Sequence, residues 1–315
     1  MKVTTSKAVC RVAVLGAGGT VGASWVAFFL HAGLDVVAQD PAPGAPERVD
    51  RFLLGARRAL DRLRPVAPPS GVLTWAATAA EAAANADFVQ ENAPEREDLK
   101  RRLLAELDHA ARPDVVIASS TSALLRSRIV ADCRRQPERV IIAHPFNPPH
   151  LLPLVELCGE SPESASVQWA AQFFESLGKR PVVLRREALG HIANRLSSAL
   201  YREAASLVEQ GVASVADIDA AVSFGPGLRW AVFGPHMLYH LGGGPGGIEH
   251  YLEHLGPSQE RRWAELGNPR LTSELKREII SGVREEAAGR SLEELEAERD
   301  QALLAVIEAL GRAGG

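Results

Sequence analysis

The stretch V-A-V-L-G-A-G-G-T-V-G, residues 12–22, decides the fold of this chain. Residues 12–15 are apolar and partly β-branched, as is typical of a strand buried on both faces of a parallel sheet. A glycine-rich turn follows, and then an amphipathic helix is predicted, with an apolar side that carries Trp25, Val26, Phe29 and Leu30. A strand, a glycine turn and a helix in this order form the context of a dinucleotide-binding fingerprint. The stretch therefore predicts a doubly wound, mostly parallel α/β sheet.

The glycine turn departs from the usual spacing, G-x-G-x-x-G, because one extra residue separates Gly18 from the last glycine. Gly16 and Gly18 are expected to let the backbone approach a pyrophosphate closely. Gly19, Thr20 and Val21 complete the turn and open the helix, whose first N–H groups and positive dipole end attract phosphate. We therefore expect these five residues to bind the cofactor. The sequence leaves open how the extra residue reshapes the turn.

An acidic residue follows the second predicted strand, residues 34–38. Asp40 lies eighteen residues after Gly22, where an acid accepts hydrogen bonds from the adenosine ribose of a dinucleotide. Such an acid repels a 2′-phosphate, so the sequence predicts NAD rather than NADP. The alternative is an ordinary turn aspartate before Pro41.

Three further predicted strands end in residues that can take part in chemistry. Residues 87–90 lead to Glu91 and Asn92, residues 115–118 lead to the hydroxyl cluster S-S-T-S that ends at Ser122, and residues 139–143 lead to His144. The carboxyl ends of parallel strands meet at one edge of a sheet, where open α/β sheets bind their ligands. We therefore expect Glu91 and Asn92 beside the cofactor and Ser122 near His144. The alternative for Ser122 is a helix cap before Ala123.

His144 begins the stretch H-P-F-N-P-P-H-L-L-P-L-V-E, which ends at Glu156. The prolines exclude a helix, so the imidazole is predicted to lie on an extended loop. Glu156 is a single carboxylate in an apolar run, and its burial is unfavourable without a partner. His144 is the predicted partner, because an imidazole oriented by a carboxylate can act as a general base or acid. The alternative is a structural histidine and a glutamate at a strand edge.

Composition limits the class of protein. A length of 315 residues suits two domains, and 46% hydrophobic residues with a net charge of −4 give no basic patch for a nucleic acid. The longest apolar stretches have the length of strands, so no membrane span is expected, and the N-terminus lacks a signal-peptide core. Three scattered cysteines have no metal-binding spacing and fit a reducing cytoplasm.

From Gly190 onward the chain is predicted to be almost entirely helical. We expect an NAD-binding Rossmann domain over residues 1–187 and an all-α domain over residues 188–315. Asn194 lies opposite the apolar stripe of the helix predicted over residues 192–210, so it is free to face the domain cleft. That stripe is predicted to pack in a core and consists of Leu196, Leu200, Ala204, Leu207 and Val208.

No metal is expected. The histidine pairs His236/His240 and His250/His254 have helical spacing, but neither has the acidic partner pattern of a metalloprotease.

Five motifs together resemble the 3-hydroxyacyl-CoA dehydrogenase superfamily: G-A-G-x-x-x-G, E-N-A-P-E, S-S-T-S, H-P-F-N-P and G-x-x-x-N-R-L. The resemblance covers essentially the whole chain. It is greatest for a short branch that holds L-carnitine dehydrogenase, L-gulonate 3-dehydrogenase (lambda-crystallin) and ketoreductases of aromatic polyketide pathways. G-L-R-W at residues 227–230 is similar to carnitine dehydrogenase, whereas H-P-F-N-P-P-H is similar to the ketoreductases.

The resemblance implies a role for four site residues. His144 corresponds to the catalytic base or acid and Glu156 to the carboxylate that orients it, while Ser122 and Asn194 hydrogen-bond the substrate oxygen. It also implies cofactor contacts for Gly16, Gly18 and Asp40, and a homodimer. Leu189-Gly190-His191 departs from the common Pro-Gly-Phe, which leaves the shape of the substrate pocket open.

The implied reaction interconverts a 3-hydroxy and a 3-oxo group of a small acid or acyl thioester. Arg229 and Trp230 suit a carboxylate and an apolar or cationic tail, as in a carnitine-like acid. The alternative is an arginine that stacks on its neighbour in helix packing. Two other functions stay open: a stereospecific ketoreductase of β-keto polyketide intermediates, and a non-catalytic NAD-binding protein like a crystallin.

Overall fold

A computed structural model describes residues 9–63 and 71–313 of the chain. The chain divides into two compact units, Met1–Arg195 and Leu196–Gly315. The domain boundary expected after residue 187 stays a prediction.

The described part of the first unit contains an eight-stranded sheet with strand order β3-β2-β1-β4-β5-β6-β7-β8. All neighbouring strands are parallel except β6 and β7. The predicted Rossmann-type, mostly parallel sheet is therefore confirmed. The strands are β1 Arg11–Leu15, β2 Asp35–Gln39, β3 Leu73–Trp75, β4 Phe88–Glu91, β5 Val116–Ser119, β6 Val140–Pro145, β7 Leu154–Cys158 and β8 Arg180–Val183.

Helices cover both faces of this sheet. They are α1 Thr20–His31, α2 Ala45–Leu63, α3 Ala79–Ala84, α4 Glu97–Ala110, α5 Arg126–Ile129 and α6 Ala165–Ser176. Alternate strand residues enter two separate cores: Val12 and Val14 pack with Trp25 and Phe174 on one face, whereas Leu15 packs with the α4 leucines on the other. Burial on both faces explains why the strands are continuous apolar runs.

Helix α1 is not amphipathic, contrary to the prediction. Every residue from Gly22 to Phe29 is buried. The reason is that α1 contacts β1 and β2 with one side and α2 with another, and that Trp25 also packs against Phe174 of α6. Periodicity does not reveal a helix that is enclosed by neighbours on several sides.

The predicted helical region is confirmed. After α7, Ala193–Glu209, follow α8 Val215–Phe224, α9 Pro226–Trp230, α10 Pro235–Gly242, α11 Gly247–His250, α12 Gly256–Glu265, α13 Ser273–Ala287 and α14 Leu292–Ala313. A π-helical turn, Tyr251–Leu255, joins α11 to α12. Within residues 9–63 and 71–313, no helix combines the length and the apolar character needed to cross a membrane.

The apolar stripe predicted on α7 does not form a core among the residues that the structure describes. Leu196 and Leu200 are 57% and 39% exposed, and the buried residues of α7 are Ala205 and Ser206. A periodic pattern identifies an apolar face but not the surface that covers it, and a second chain can cover such a face.

Candidate active site

Three glycines of the turn after β1 leave no room for a side chain, and one of them is Gly18, where a Cβ would lie 2.7 Å from the Cβ of Ala45. Gly16 has φ +66°, and a Cβ there would lie 2.5 Å from the backbone oxygen of Asn92. A Cβ on Gly22 would overlap the carbonyl oxygen of Gly16. Gly19 has space, since the nearest atom is 3.6 Å away, and it is the N-cap residue of α1. Gly19 therefore has room for a side chain, whereas Gly22, the last glycine of the turn, has none.

Asp40 lies directly beside this turn. Its Oδ2 accepts a hydrogen bond from the Gly18 N–H at 2.8 Å, and its Oδ1 accepts one from the Ala42 N–H at 2.8 Å. The hydrogen bond from Ala42 is typical of a turn aspartate, which was the alternative for Asp40 in the sequence. The hydrogen bond from Gly18 brings the carboxylate to the glycine turn. The contact of Asp40 with a ribose stays a prediction.

Arg48 of α2 also contacts the turn. Its Nε donates to the Gly18 carbonyl oxygen at 3.1 Å. Asp40 and Arg48 thus bind the N–H and the C=O of the same glycine, which ties the turn after β1 to the end of β2 and to α2.

Glu91 and Asn92 already have internal partners at the end of β4. The Glu91 carboxylate is fully buried and accepts hydrogen bonds from Ser119 Oγ at 2.5 Å, the Ala93 N–H at 2.5 Å and Lys100 Nζ at 2.8 Å. Asn92 Nδ2 donates to the Leu15 carbonyl oxygen at 2.9 Å. Both residues lie at the predicted edge and tie neighbouring elements together, and their contact with a cofactor stays a prediction.

His144 and Glu156 lie directly opposite each other on the antiparallel strands β6 and β7. His144 Nδ1 is 2.9 Å from Glu156 Oε2, and both side chains are buried. Because a carboxylate only accepts, Nδ1 carries the proton in the neutral ring and Nε2 keeps its lone pair. The predicted extended loop is wrong, since His144 is part of β6. The proline stretch begins one residue later and still pairs with β7.

Glu156 also binds the beginning of α7. Its Oε1 accepts hydrogen bonds from the backbone N–H groups of Ile192 at 2.8 Å and Ala193 at 3.0 Å. Burial alone raises the pKa of Glu156, but the hydrogen bonds from His144, Ala193 and Ile192 outweigh it and hold the pKa below its ordinary value. Asn194, half-buried, is the next residue along α7, so the carboxylate that orients His144 also anchors the turn that carries Asn194.

A fourth carboxylate, Glu95, organises the loop that carries Ser122. Its Oε1 accepts hydrogen bonds from Thr121 Oγ1 at 2.5 Å and from the N–H groups of Ser122 at 2.9 Å and Ala123 at 2.7 Å. The helix-cap alternative for Ser122 is wrong, because the next helix begins at Arg126. Glu95 was missed as a site residue, although the motif E-N-A-P-E contains it.

The electrostatics of this loop favour a charged Glu95. Burial raises the pKa of Glu95, whereas the Thr121 hydroxyl, the Ala123 N–H and the positive charge of Lys100 together lower it by more, so the pKa is below its ordinary value. Lys100 is buried between Glu95 Oε2 at 3.7 Å and Glu91 Oε1 at 2.8 Å.

A second histidine lies against His144 and was also missed. The ring centroids of His144 and His191 are 4.9 Å apart. His191 is buried, and its Nε2 is 3.0 Å from the backbone oxygen of Thr121. Its signal in the sequence was the replacement of the common phenylalanine.

The two residues predicted to hold the substrate lie in the second unit. Arg229 and Trp230 end the short helix α9, and both are exposed. Their contact with a substrate stays a prediction. Among the described residues no group of three or more histidine, cysteine, aspartate or glutamate side chains is arranged to hold a metal.

The turn fits the cofactor that the fingerprint predicts. Gly16 and Gly22 allow only backbone at the turn, the N-terminus of α1 follows it, and the Asp40 carboxylate adjoins it. Bare backbone, a helix N-terminus and an acid at the next strand end are the groups that bind the pyrophosphate and the ribose of NAD.

Both parts of the chain match the 3-hydroxyacyl-CoA dehydrogenase family. The NAD binding domain of this family matches residues 11–188, and its C-terminal domain matches residues 190–275. The L-carnitine dehydrogenase of Nocardiopsis dassonvillei is 48% identical over 309 residues, which cover 98% of this chain and 93% of the relative. The L-carnitine dehydrogenase of Streptomyces coelicolor is 47% identical over 313 residues, 99% of this chain and 98% of the relative.

A solved structure resembles the whole chain. It is the 5-formyl-3-hydroxy-2-methylpyridine 4-carboxylic acid 5-dehydrogenase, described as an NAD+ dependent dismutase, with a TM-score of 0.81 and 30% identity over 96% of this chain and 99% of that chain. The chain therefore belongs to the 3-hydroxyacyl-CoA dehydrogenase family. It is an NAD-dependent oxidoreductase that acts on a CH–OH group and interconverts a hydroxy and an oxo group.

Proposed function

We propose that this oxidoreductase acts on the 3-hydroxy group of L-carnitine or a closely similar small hydroxy acid. The contact between His144 Nδ1 and Glu156 Oε2, 2.9 Å long, carries the proposal for the reaction. The relatives at 47–48% identity over nearly the full chain, both L-carnitine dehydrogenases, support the substrate. Neither the polyketide ketoreductase nor the crystallin-like alternative has comparable support.

In the proposed mechanism His144 is the general base in the direction of alcohol oxidation. Its Nε2 removes the proton from the hydroxyl oxygen while the carbon loses a hydride; bound NAD supplies the hydride acceptor. Glu156 keeps the proton of the resting ring on Nδ1 and stabilises the imidazolium that forms. General acid–base catalysis of this kind increases the rate roughly 10²–10⁴-fold. In the reverse direction the imidazolium returns the proton to the oxo oxygen.

Two further groups are proposed to bind the substrate oxygen. Ser122 and Asn194 stabilise the negative charge that develops on this oxygen, as preorganised donors do. Glu95 supports Ser122 by holding its backbone N–H at 2.9 Å, and Glu156 supports Asn194 by binding the start of α7. Each proposed donor is therefore adjacent to a backbone segment that a carboxylate fixes.

We propose that the second unit binds the two charged groups of the substrate, which lie on either side of its hydroxyl group. We propose that the Arg229 guanidinium binds the carboxylate and that Trp230 contacts the trimethylammonium group. A planar guanidinium matches a carboxylate in two hydrogen bonds, and an indole face attracts a quaternary ammonium group. Both side chains are exposed in the chain, as a binding role requires.

We further propose that the protein is a cytoplasmic homodimer. The second unit exposes many large apolar side chains, which favours a covering partner over a monomer in water. Among the most exposed are Phe224 at 82%, Leu252 at 60%, Trp263 at 60% and Leu228 at 59%. Cys133 and Cys158 are present as buried thiols, which fits a reducing compartment.

A nicotinamide absorbance assay tests the substrate. The purified chain is assayed with NAD and L-carnitine, L-gulonate or 3-hydroxybutyryl-CoA, and with NADH and a bicyclic β-keto thioester. We expect the highest kcat/KM with L-carnitine. Turnover of the bicyclic β-keto thioester and of none of the other three compounds would instead support a polyketide ketoreductase. Tight NADH binding without turnover of any of the four compounds would contradict the proposal altogether.

A further inference from the structure

His191 has a backbone and a side chain that are unusual for a residue next to a proposed base. Its φ is +51°, directly after Gly190 with φ +75°. This left-handed conformation is unfavourable for a residue with a Cβ atom. The side chain is only 2% exposed, and its Nδ1 is buried without a hydrogen-bond partner among the described residues. Strain and an unsatisfied buried atom at one residue are typical of functional sites.

The hydrogen bond to Thr121 determines the tautomer of His191. Its Nε2 lies 3.0 Å from the Thr121 carbonyl oxygen, which can only accept, so the proton is on Nε2. Nδ1 therefore carries a lone pair in the neutral ring.

The surroundings keep this ring neutral. Burial has the largest effect on the pKa of His191 and lowers it; a positive charge on His144 lowers it further. The hydrogen bond to Thr121 and the carboxylates of Glu156 and Glu95 act in the opposite direction, but the pKa stays below its ordinary value. These surroundings thus favour the neutral ring over the charged one.

His191 connects the two halves of the proposed site. Its ring lies 4.9 Å from the His144 ring, and its neighbours Ile192 and Ala193 donate their N–H groups to Glu156. On the other side its Nε2–H holds the carbonyl of Thr121, the residue before Ser122. Glu95 accepts hydrogen bonds from the Thr121 hydroxyl and the Ser122 N–H of the same loop. The Thr121 carbonyl oxygen is held instead by His191.

We propose that His191 is a positioning residue: its Nε2–H fixes the loop of Ser122 relative to the ring of His144. The inference rests on the proposed function, in which His144 is the base. In alcohol oxidation the proton of the hydroxyl would go to His144 Nε2, and NAD, when bound, would supply the acceptor for the hydride of the carbon. His191 takes neither, because a second proton on its buried ring would place two positive charges side by side.

Two variants separate the hydrogen bond from the shape of the ring. His191→Gln keeps an N–H donor at about the reach of Nε2, whereas His191→Phe keeps a ring and loses the donor. We expect His191→Phe to lower kcat by on the order of 10²-fold, as misplaced catalytic groups do, and His191→Gln to restore most of it. Equal losses in both variants would overturn the inference.

A double-mutant cycle excludes a merely structural role. In a Ser122→Ala background, His191→Phe should cost less than about threefold in kcat, because the group that it positions is already missing. Additive losses, together with a matching fall in Tm, would show that His191 only stabilises the fold.

The tautomer is measured without any substrate. In the full chain with ¹⁵N-labelled histidines, His191→Phe identifies the His191 signals, and we expect one proton, on Nε2, from about pH 7.5 to 8.5. A ring protonated on Nδ1 or on both nitrogens in this range would overturn the inference by itself. If the wild type turns over no substrate, the proposed function fails, and the nitrogen shifts still decide on the hydrogen bond to Thr121.

Discussion

Glu156 binds His144 with one carboxylate oxygen and the beginning of α7 with the other. Oε2 is 2.9 Å from His144 Nδ1, while Oε1 accepts the N–H of Ile192 at 2.8 Å. The orientation of the proposed base and the position of the first turn of α7 therefore depend on the same side chain. Because the strands β6 and β7 place the two residues directly opposite each other, the contact is built into the sheet register.

Glu156→Gln should abolish most of the activity although the side chain keeps its shape. A glutamine amide can donate to His144 Nδ1, which forces the proton of the neutral ring onto Nε2, the nitrogen proposed to accept the substrate's proton. We expect kcat for oxidation to fall by roughly 10²–10⁴-fold with a small change in the Kd of NADH. Steady-state kinetics and NADH fluorescence titration measure the two quantities. An unchanged kcat would contradict the orienting role.

His144→Ala should lower kcat far more than cofactor affinity, because the imidazole is the proposed base in the proton transfer. A loss of roughly 10²–10⁴-fold in kcat is expected, with the Kd of NADH within about threefold of the wild-type value. His109→Ala, on the exposed side of α4, is the matched control and should leave both quantities unchanged. Equal losses of kcat and NADH affinity would indicate a structural histidine.

The carboxylate of Glu156 should also make stability depend on pH. Its pKa in the folded chain lies below the ordinary value of 4.5, so folding favours the charged form. This contribution is fully present above pH 4.5 and is lost as the pH falls through the lower, folded pKa. Glu156→Gln should therefore cost roughly 1.5–3 kcal/mol in the free energy of unfolding near neutral pH, and the difference from wild type should shrink below pH 4.5.

Urea unfolding at a series of pH values measures this difference. Glu175→Gln, on the exposed side of α6, controls for the loss of a surface charge. A gap between wild type and Glu156→Gln that widens toward acid would mean that the carboxylate is disfavoured by folding.

Local patterns predicted the sheet and the pairing of His144 with Glu156, because a continuous apolar run fits a buried strand and an isolated acid within such a run requires a partner. Glu95 and His191 were missed for a different reason. Both act through backbone groups of a distant loop, at Ser122 and Thr121, and such contacts have no periodicity or spacing along the chain. The prediction that the apolar stripe of α7 packs in a core was wrong for another reason: Leu196 is apolar, but no part of the described chain covers it.

The two glycines at the start of α1 should differ sharply in their tolerance of a methyl group. Gly22→Ala forces a Cβ into the Gly16 carbonyl oxygen, whereas in Gly19→Ala the nearest atom is 3.6 Å from the new Cβ. We expect Gly22→Ala to lower Tm and to weaken NADH binding at least tenfold, and Gly19→Ala to change either only slightly. Thermal unfolding and NADH titration measure both effects. A larger effect of Gly19→Ala than of Gly22→Ala would show that close backbone packing is not what requires a glycine at residue 22.

Arg229→Met tests the proposed recognition of the substrate carboxylate. If the guanidinium binds that group, the KM for L-carnitine should rise about tenfold or more, since a hydrogen bond to a charged group is worth roughly 1.5–3 kcal/mol. The KM for L-carnitinamide, in which the carboxylate is a neutral amide, should be high in the wild type and should not rise further in the variant. Arg277→Met, exposed on α13, is the matched control and should leave both values unchanged. An Arg229→Met variant that raises the KM of acid and amide equally would show that the arginine acts through helix packing, because only a direct contact distinguishes the two substrates.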